Sequence, residues 1–218
     1  MRKPAMMQPV LRHLSKADPV MRTLIRRAGP CTLTPRRREP LYQTLVRAVA
    51  HQQLNGRAAN AILARFIALF PGKRFPDPGD IRLASVRRLR SAGFSRAKIR
   101  AIKHIAAETV AGVVPSRRAA ARMSDEEIVE RLIALRGVGR WTVEMLLIFT
   151  LGRPDVLPAD DFGIREGFRI AYGSRARPTP RKLLAFGERW RPYRSTAAWY
   201  LWRAAEQARN GKREARAQ

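Results

Sequence analysis

A single cysteine, Cys31, is all the thiol chemistry this 218-residue chain possesses. A lone thiol forms no internal disulfide, no zinc knuckle and no iron–sulfur cluster. Acids are scarce as well: 17 Asp and Glu stand against 44 Lys and Arg, a formal net charge of +27. Long apolar runs are missing; the strongest, Met145 to Leu151, is too short to span a bilayer and reads as a buried helix end. Pro4, Pro9 and Pro19, with interspersed arginines, break any signal-peptide core in the first thirty residues. Alternating β-branched runs of strand type are few. These absences exclude a disulfide scaffold, a thiolate metalloprotein and a helical membrane protein, and point to the cytoplasm, or the nucleoid in a bacterium.

What is present is an interior of 45 % apolar residues and an arginine surplus: 37 of the 44 basic residues are arginine. The guanidinium fork matches phosphate oxygens and base edges, so the charge implies a polyanionic partner. Codon bias toward arginine accounts for part of that surplus and leaves the shortage of acids unexplained.

Apolar residues recur at three- and four-residue spacing, so the fold class is all-α. Asp18-Pro19 is an N-cap with proline at the first helical position, opening a helix that stops near Gly29-Pro30. Periodicity resumes at Leu41, halts from His51 to Gly56, and restarts through Phe70. After a Pro/Gly/Asp connector come expected helices over Ile81–Arg90 and Ala97–Val113, then an expected solvated loop from Val114 to Met123. Ser124 and Glu127 form a capping box before a helix whose apolar face is Ile128, Leu132, Ile133 and Leu135. Pro154–Pro158 reads as a loop, Asp160 as an N-cap, and two final helices span Arg181–Trp190 and Arg194–Ala208, with Asn210–Gln218 expected to fray. A faint repeat pairs Leu89–Ser95 with Leu135–Trp141, each placing a glycine turn between two helices.

Leu135-Arg136-Gly137-Val138-Gly139-Arg140-Trp141-Thr142 is the most informative segment. Two glycines flank one apolar residue between an ending and a starting helix. Val138 can tuck inward while bare backbone approaches a ligand, and the next helix offers unpaired amides to an anion such as a DNA phosphate. An ordinary αα turn with a glycine cap carries the same pattern.

This octapeptide, the Leu157–Asp161 segment, the Gln52-Gln53-Leu54 turn and Trp190–Ser195 together resemble the helix-hairpin-helix glycosylases of DNA base-excision repair, in particular the DNA-3-methyladenine glycosylase II family. The resemblance runs from about Ala17 to about Trp202. Longer members carry a further N-terminal α/β domain, for which this chain has no room, so a short form is expected. The resemblance implies a two-lobed helical bundle with a DNA-binding cleft between lobes. Residues 1–40 would pack with the C-terminal lobe, 41–150 would form the central lobe ending in the hairpin, and 151–218 would complete the second lobe.

For chemistry the resemblance implies a monomer acting on double-stranded DNA, removing alkylated bases such as 3-methyladenine and 7-methylguanine. Asp161 falls at the family's catalytic aspartate; Asp160 and Asp161 both serving as caps is the plain alternative. Related bifunctional enzymes place a Schiff-base lysine where this chain has Trp141, which implies hydrolysis without strand cleavage. Base flipping needs a wedge and an aromatic pocket. The resemblance assigns DNA contact to Gln53, Leu54, Gly137, Val138, Gly139, Arg140 and Thr142, and the pocket to Trp141, Trp202 and Gln52; Met145, one helical turn from Trp141, is expected on the same pocket wall. Gln52 capping a helix with Leu54 in the core, and tryptophans serving as core, remain open. His51, beside the turn, could touch DNA; His13 and His104 show no metal spacing. No cofactor is implied beyond a monovalent cation, Na+ or K+, on the carbonyls of Ile133, Leu135 and Val138. A non-catalytic helix-hairpin-helix DNA-binding or damage-recognition protein is the alternative.

Overall fold

A computed structural model describes residues 4–214, and among these there is no strand. The helices are α1 (Pro4–Ala17), α2 (Pro19–Ala28), α3 (Leu41–His51), α4 (Gly56–Ala68), α5 (Pro78–Leu83), α6 (Val86–Ser91), α7 (Arg96–Val110), α8 (Arg117–Ala120), α9 (Asp125–Ile133) and α10 (Arg140–Leu146). A π turn (Leu147–Leu151) follows, then α11 (Phe162–Ala171), α12 (Pro180–Gly187), a 3-10 turn (Glu188–Trp190) and α13 (Arg194–Glu214). None is long and apolar enough to cross a membrane. The chain divides into two compact units, one made of the residues up to Pro35 with those from Leu147 onward, the other of Arg36–Leu146.

The first unit is built around two crossings. Met7, Val10 and Leu14 of α1 and Met21 and Leu24 of α2 form one apolar cluster with Phe168 of α11, Leu183 of α12 and Tyr200, Leu201 and Ala204 of α13. Pro9 does not end α1: it sits on the exposed face, where the missing N–H is one bond among many. Asp18 is almost wholly buried and saturated. Its Oδ1 accepts the amides of Val20 and Met21, and its Oδ2 accepts the Trp190 indole N–H at 2.9 Å and the Tyr172 hydroxyl. Burial, and the Asp18 carboxylate, push the Tyr172 hydroxyl far above its usual range, so it stays a donor. α11 and α13 meet at Gly167, where an added Cβ would lie 1.9 Å from the Leu201 carbonyl oxygen. Only glycine lets the helices come this close.

In the second unit α7 is central, packing on α3, α5 and α6 through Ile99, Ile102 and Ile105. Phe66 of α4 holds three edge-on aromatic neighbours, Phe70, Phe75 and Phe94, at centroid distances of 5.4–5.8 Å. The capping box of Ser124 and Glu127 opens α9 as its residues predict.

Several expectations are corrected. Ile81–Arg90 is two helices, because the Ser85 hydroxyl accepts the Arg88 amide and restarts the helix after an extended Ala84. Val114–Met123 is not a solvated loop: Ser116 caps α8, and Val114 and Ala120 are buried. Ile133 lies on the exposed side of α9, away from Ile128, Leu132 and Leu135. The tail remains helical to Glu214, whereas 215–218 lie outside the described residues. In both copies of the faint repeat a glycine does turn the chain between two helices, Gly93 (φ +102°) between α6 and α7 and Gly137 (φ +77°) between α9 and α10.

Candidate functional site

Two features of the second unit meet at one hydrogen bond. α3 ends at Gln52, whose backbone amide donates to the Val49 carbonyl, and Gln53 then takes φ +56°. Among the described residues it is the one non-glycine in the left-handed region, a conformation that costs on the order of 1 kcal/mol. Gln53 is exposed and Leu54 is 40 % exposed, which rules out Leu54 as a core residue. Asn55 then caps α4 by accepting the Ala58 amide. The Gln52 side chain, implied above as a pocket residue, donates from Nε2 to the Gly137 carbonyl at 2.8 Å. His51 spends both ring nitrogens on the Arg47 carbonyl and the Asn60 side chain.

The hairpin between α9 and α10 turns at Gly137, where φ +77° favours glycine and an added Cβ would lie 3.1 Å from that of Ala101. Val138 donates its amide to the Leu135 carbonyl and is buried. The Arg136 amide donates to His104 Nδ1, so the His104 proton sits on Nε2, toward Glu108. Gly139 and Arg140 are exposed, with Arg140 paired to Glu126 at 2.5 Å. Thr142, the third residue of α10, is buried. Trp141 is 48 % exposed, and Met145, half-buried, follows one turn later on the same face.

In the first unit the structure corrects the capping assignment. Asp160 is exposed, and Asp161 is the N-cap of α11, its Oδ1 accepting the Ile164 amide at 2.9 Å. The same oxygen accepts the Trp202 indole N–H at 2.8 Å. Trp202 in turn lies against Phe149 of the π turn, centroids 5.6 Å apart and rings inclined by 31°. Gly163 makes room for this pair, because a Cβ there would fall 3.0 Å from Trp202 Cδ1 and 3.1 Å from Asp161 Oδ1. Asp161 and Trp202 are thus one assembly, half-buried, with the carboxylate fixed by two donors. Beside them runs a groove of about 610 Å³ between α11 and α13, floored by Ile170, Trp202 and Ala205. The exposed Phe162 stands at its edge with the Arg177 guanidinium 4.4 Å above its ring.

The Trp190–Ser195 segment proves to be a clamp on the loop that delivers Asp161. Arg194 grips Asp155 through Nε at 2.8 Å and Nη2 at 3.1 Å, and Arg191 adds a bond at 2.7 Å. The buried Ser195 hydroxyl donates to the Arg153 carbonyl and accepts the Val156 amide. Sequence reasoning missed these holding residues, and Phe149 with them. The one signal available was the run of arginines facing a lone Asp155.

Comparison with known proteins extends this geometry. Residues 46–192 match the family model described as HhH-GPD superfamily base excision DNA repair protein. The chain is 44 % identical over 200 residues to DNA-3-methyladenine glycosylase 1 of Schizosaccharomyces pombe, covering 90 % of this chain and 86 % of that one. Among solved structures it is similar to the 3-methyladenine DNA glycosylase Mag1 of the same yeast in complex with abasic DNA. The TM-score is 0.79 at 42 % identity, covering 89 % of this chain and 95 % of that one. A DNA-3-methyladenine glycosidase from Bacillus halodurans matches with a TM-score of 0.82 at 31 % identity, covering 90 % and 89 %. The hairpin, the capped carboxylate and these likenesses agree, and the chain belongs to the HhH-GPD superfamily of base excision DNA repair proteins.

Proposed function

We propose that this protein is a monofunctional DNA glycosylase that hydrolyses the N-glycosidic bond of alkylated bases, 3-methyladenine and 7-methylguanine among them, in double-stranded DNA. The observation that carries the reading is Asp161, a carboxylate fixed by the Ile164 amide and the Trp202 indole in a chain of net charge +27. On a surface that gathers phosphates, an acid is unfavourable unless its charge is used.

Its use follows from the bond to be broken. As C1′ loses its base the sugar becomes oxocarbenium-like, and a fixed carboxylate stabilises that cation without reorganising at the moment of reaction. Water forms the new C1′–O bond and passes its proton to the Asp161 carboxylate, while the C1′–N electron pair leaves with the base. An alkylated purine carries positive charge, which that electron pair neutralises, so no second carboxyl group is needed to protonate it. Trp141 stands where bifunctional relatives place their lysine, so no amine at that position attacks the sugar, and the product is an abasic site in an intact strand.

Around that chemistry the remaining residues bind and orient. Gln53 and Leu54 fill the space left by the flipped nucleotide, Trp141, Met145 and Trp202 receive the base, and Gly137, Gly139 and Arg140 hold the backbone. A ring stacked on a cationic purine gains about 1–2 kcal/mol, which favours alkylated over normal bases. The hairpin carbonyls of Ile133, Leu135 and Val138 would hold a monovalent cation; Leu135 has one lone pair left after accepting the Val138 amide. That ion would add charge for a phosphate.

The test is incubation with methylated duplex DNA, chromatography of the freed bases, and alkali to cut at abasic sites. Release of methylated purines, with strand breaks only after alkali, supports the reading. Tight binding without release makes the protein a damage-recognition module instead.

A further inference from the structure

The turn that carries Gln53 is held by a lysine to which no role in base removal is assigned. Lys98, in the first turn of α7, reaches the end of α3, and its Nζ donates to the carbonyls of Ala50 and Gln52, both at 2.8 Å. These are among the last carbonyls of α3, which no helical amide can satisfy. The ammonium is half-buried, and burial pushes its pKa down, so the contact is made at a cost in hydration. A glycine cap would satisfy the same carbonyls without burying a charge. What the ammonium adds is control over the next residue: Gln53 is the left-handed residue, and Gln52, whose carbonyl Lys98 holds, also reaches Gly137 at 2.8 Å. Gln52 is thereby fastened twice, to α7 through its carbonyl and to the hairpin through its side chain.

We propose that Lys98 is a positioning residue for base extrusion. Its ammonium holds the Gln52-Gln53-Leu54 turn in the shape that enters the duplex, and Gln52 sets that turn in register with the hairpin. The inference rests on the glycosylase reading above. A lysine that merely stabilised the fold would affect every substrate alike; a lysine that shapes the wedge matters only when a base must be levered out of a stack.

The experiment compares wild type, Lys98→Met, Lys98→Arg and Gln52→Ala on methylated DNA offered either as duplex or as heat-denatured strands. Lys98→Met is expected to lose at least tenfold in release from duplex and less than threefold from denatured strands. Lys98→Arg should recover duplex release to within threefold of wild type, and Gln52→Ala should show the same selective loss on a smaller scale. A second readout needs no catalysis: 2-aminopurine opposite an abasic analogue brightens when the turn inserts, and Lys98→Met should remove most of that signal at saturating protein. Equal losses on both DNA forms, no loss on either, or an undiminished fluorescence rise would overturn the proposal. Should wild type release nothing from either DNA, the glycosylase reading fails, and the fluorescence arm still decides whether Lys98 shapes the turn. Should Lys98→Met fail to fold, Gln52→Ala carries the same comparison.

Discussion

Asp161 has two duties that different substitutions separate. Its Oδ1 caps α11 through the Ile164 amide and partners the Trp202 indole. Asp161→Ala removes the acceptor of both bonds. The lost cap costs about 1 kcal/mol. A half-buried indole N–H left without its partner costs about 1–3 kcal/mol, toward the lower end where water can reach it. Together these terms give roughly 2–4 kcal/mol, a fall in Tm of about 5–15 °C for a protein of this size. Asp161→Asn keeps a carbonyl oxygen for the same donors, and Asn caps helices as well as Asp does, so Tm should stay within about 2 °C of wild type. Yet Asn carries no charge and takes no proton, and base release should fall by about 10²–10⁴-fold. The assay pairs thermal unfolding by circular dichroism with single-turnover release of methylated purines, and adds DNA affinity, which Asn should leave nearly unchanged. If Asp161→Asn releases bases at more than a tenth of the wild-type rate, the carboxylate is not the catalytic group. If Asp161→Ala melts like wild type, the capping account is wrong.

Further outcomes follow from other features. Gly167→Ala forces a methyl group to within 1.9 Å of the Leu201 carbonyl oxygen, so α11 and α13 must part; a loss of about 3 kcal/mol or more is expected, and a Tm within 2 °C of wild type would contradict the close crossing. The Ser124 amide holds the Glu127 carboxyl below its usual range. That contribution is present above the unfolded-state pKa and is lost as pH falls through the lower folded value, so Glu127→Ala should destabilise at neutral pH and converge with wild type in acid unfolding curves. DNA affinity should fall steeply with salt, with a log–log slope of about −0.9 for each phosphate neutralised; a flat response in fluorescence anisotropy would remove the electrostatic basis of binding.

Much of this was readable from local chemistry. Asp18-Pro19 and the Ser124–Glu127 box announced their helices because each satisfies backbone amides within three residues, and the glycines of the hairpin marked a turn only they can make. Errors arose where one residue outweighed a pattern. Ser85 interrupted an otherwise helical run by accepting the Arg88 amide at its hydroxyl, and Ser116 started a short helix in a stretch that looked solvated. Asp160 reads as the cap of α11 from its neighbours, yet the Ile164 amide selects Asp161, whose Oδ1 also accepts the Trp202 indole 41 residues away. The bridges from Lys98 to Gln52 and from Gln52 to Gly137 join residues 46 and 85 positions apart. No local periodicity encodes such distances, and lysine and glutamine are common on surfaces, so nothing in their identity set them aside.

The discontinuous unit has a consequence for synthesis. Met7, Leu14, Met21 and Leu24 belong to a core completed by Trp190, Tyr200 and Leu201. On the ribosome these early helices emerge first and must wait for the last ones, on the order of 10–30 s at 5–20 residues per second. Arg36–Leu146 is contiguous and can close its own interior in that interval. The nascent chain therefore carries an unfinished greasy face ahead of a folded body, and this waiting segment is where a chaperone would be expected to hold on.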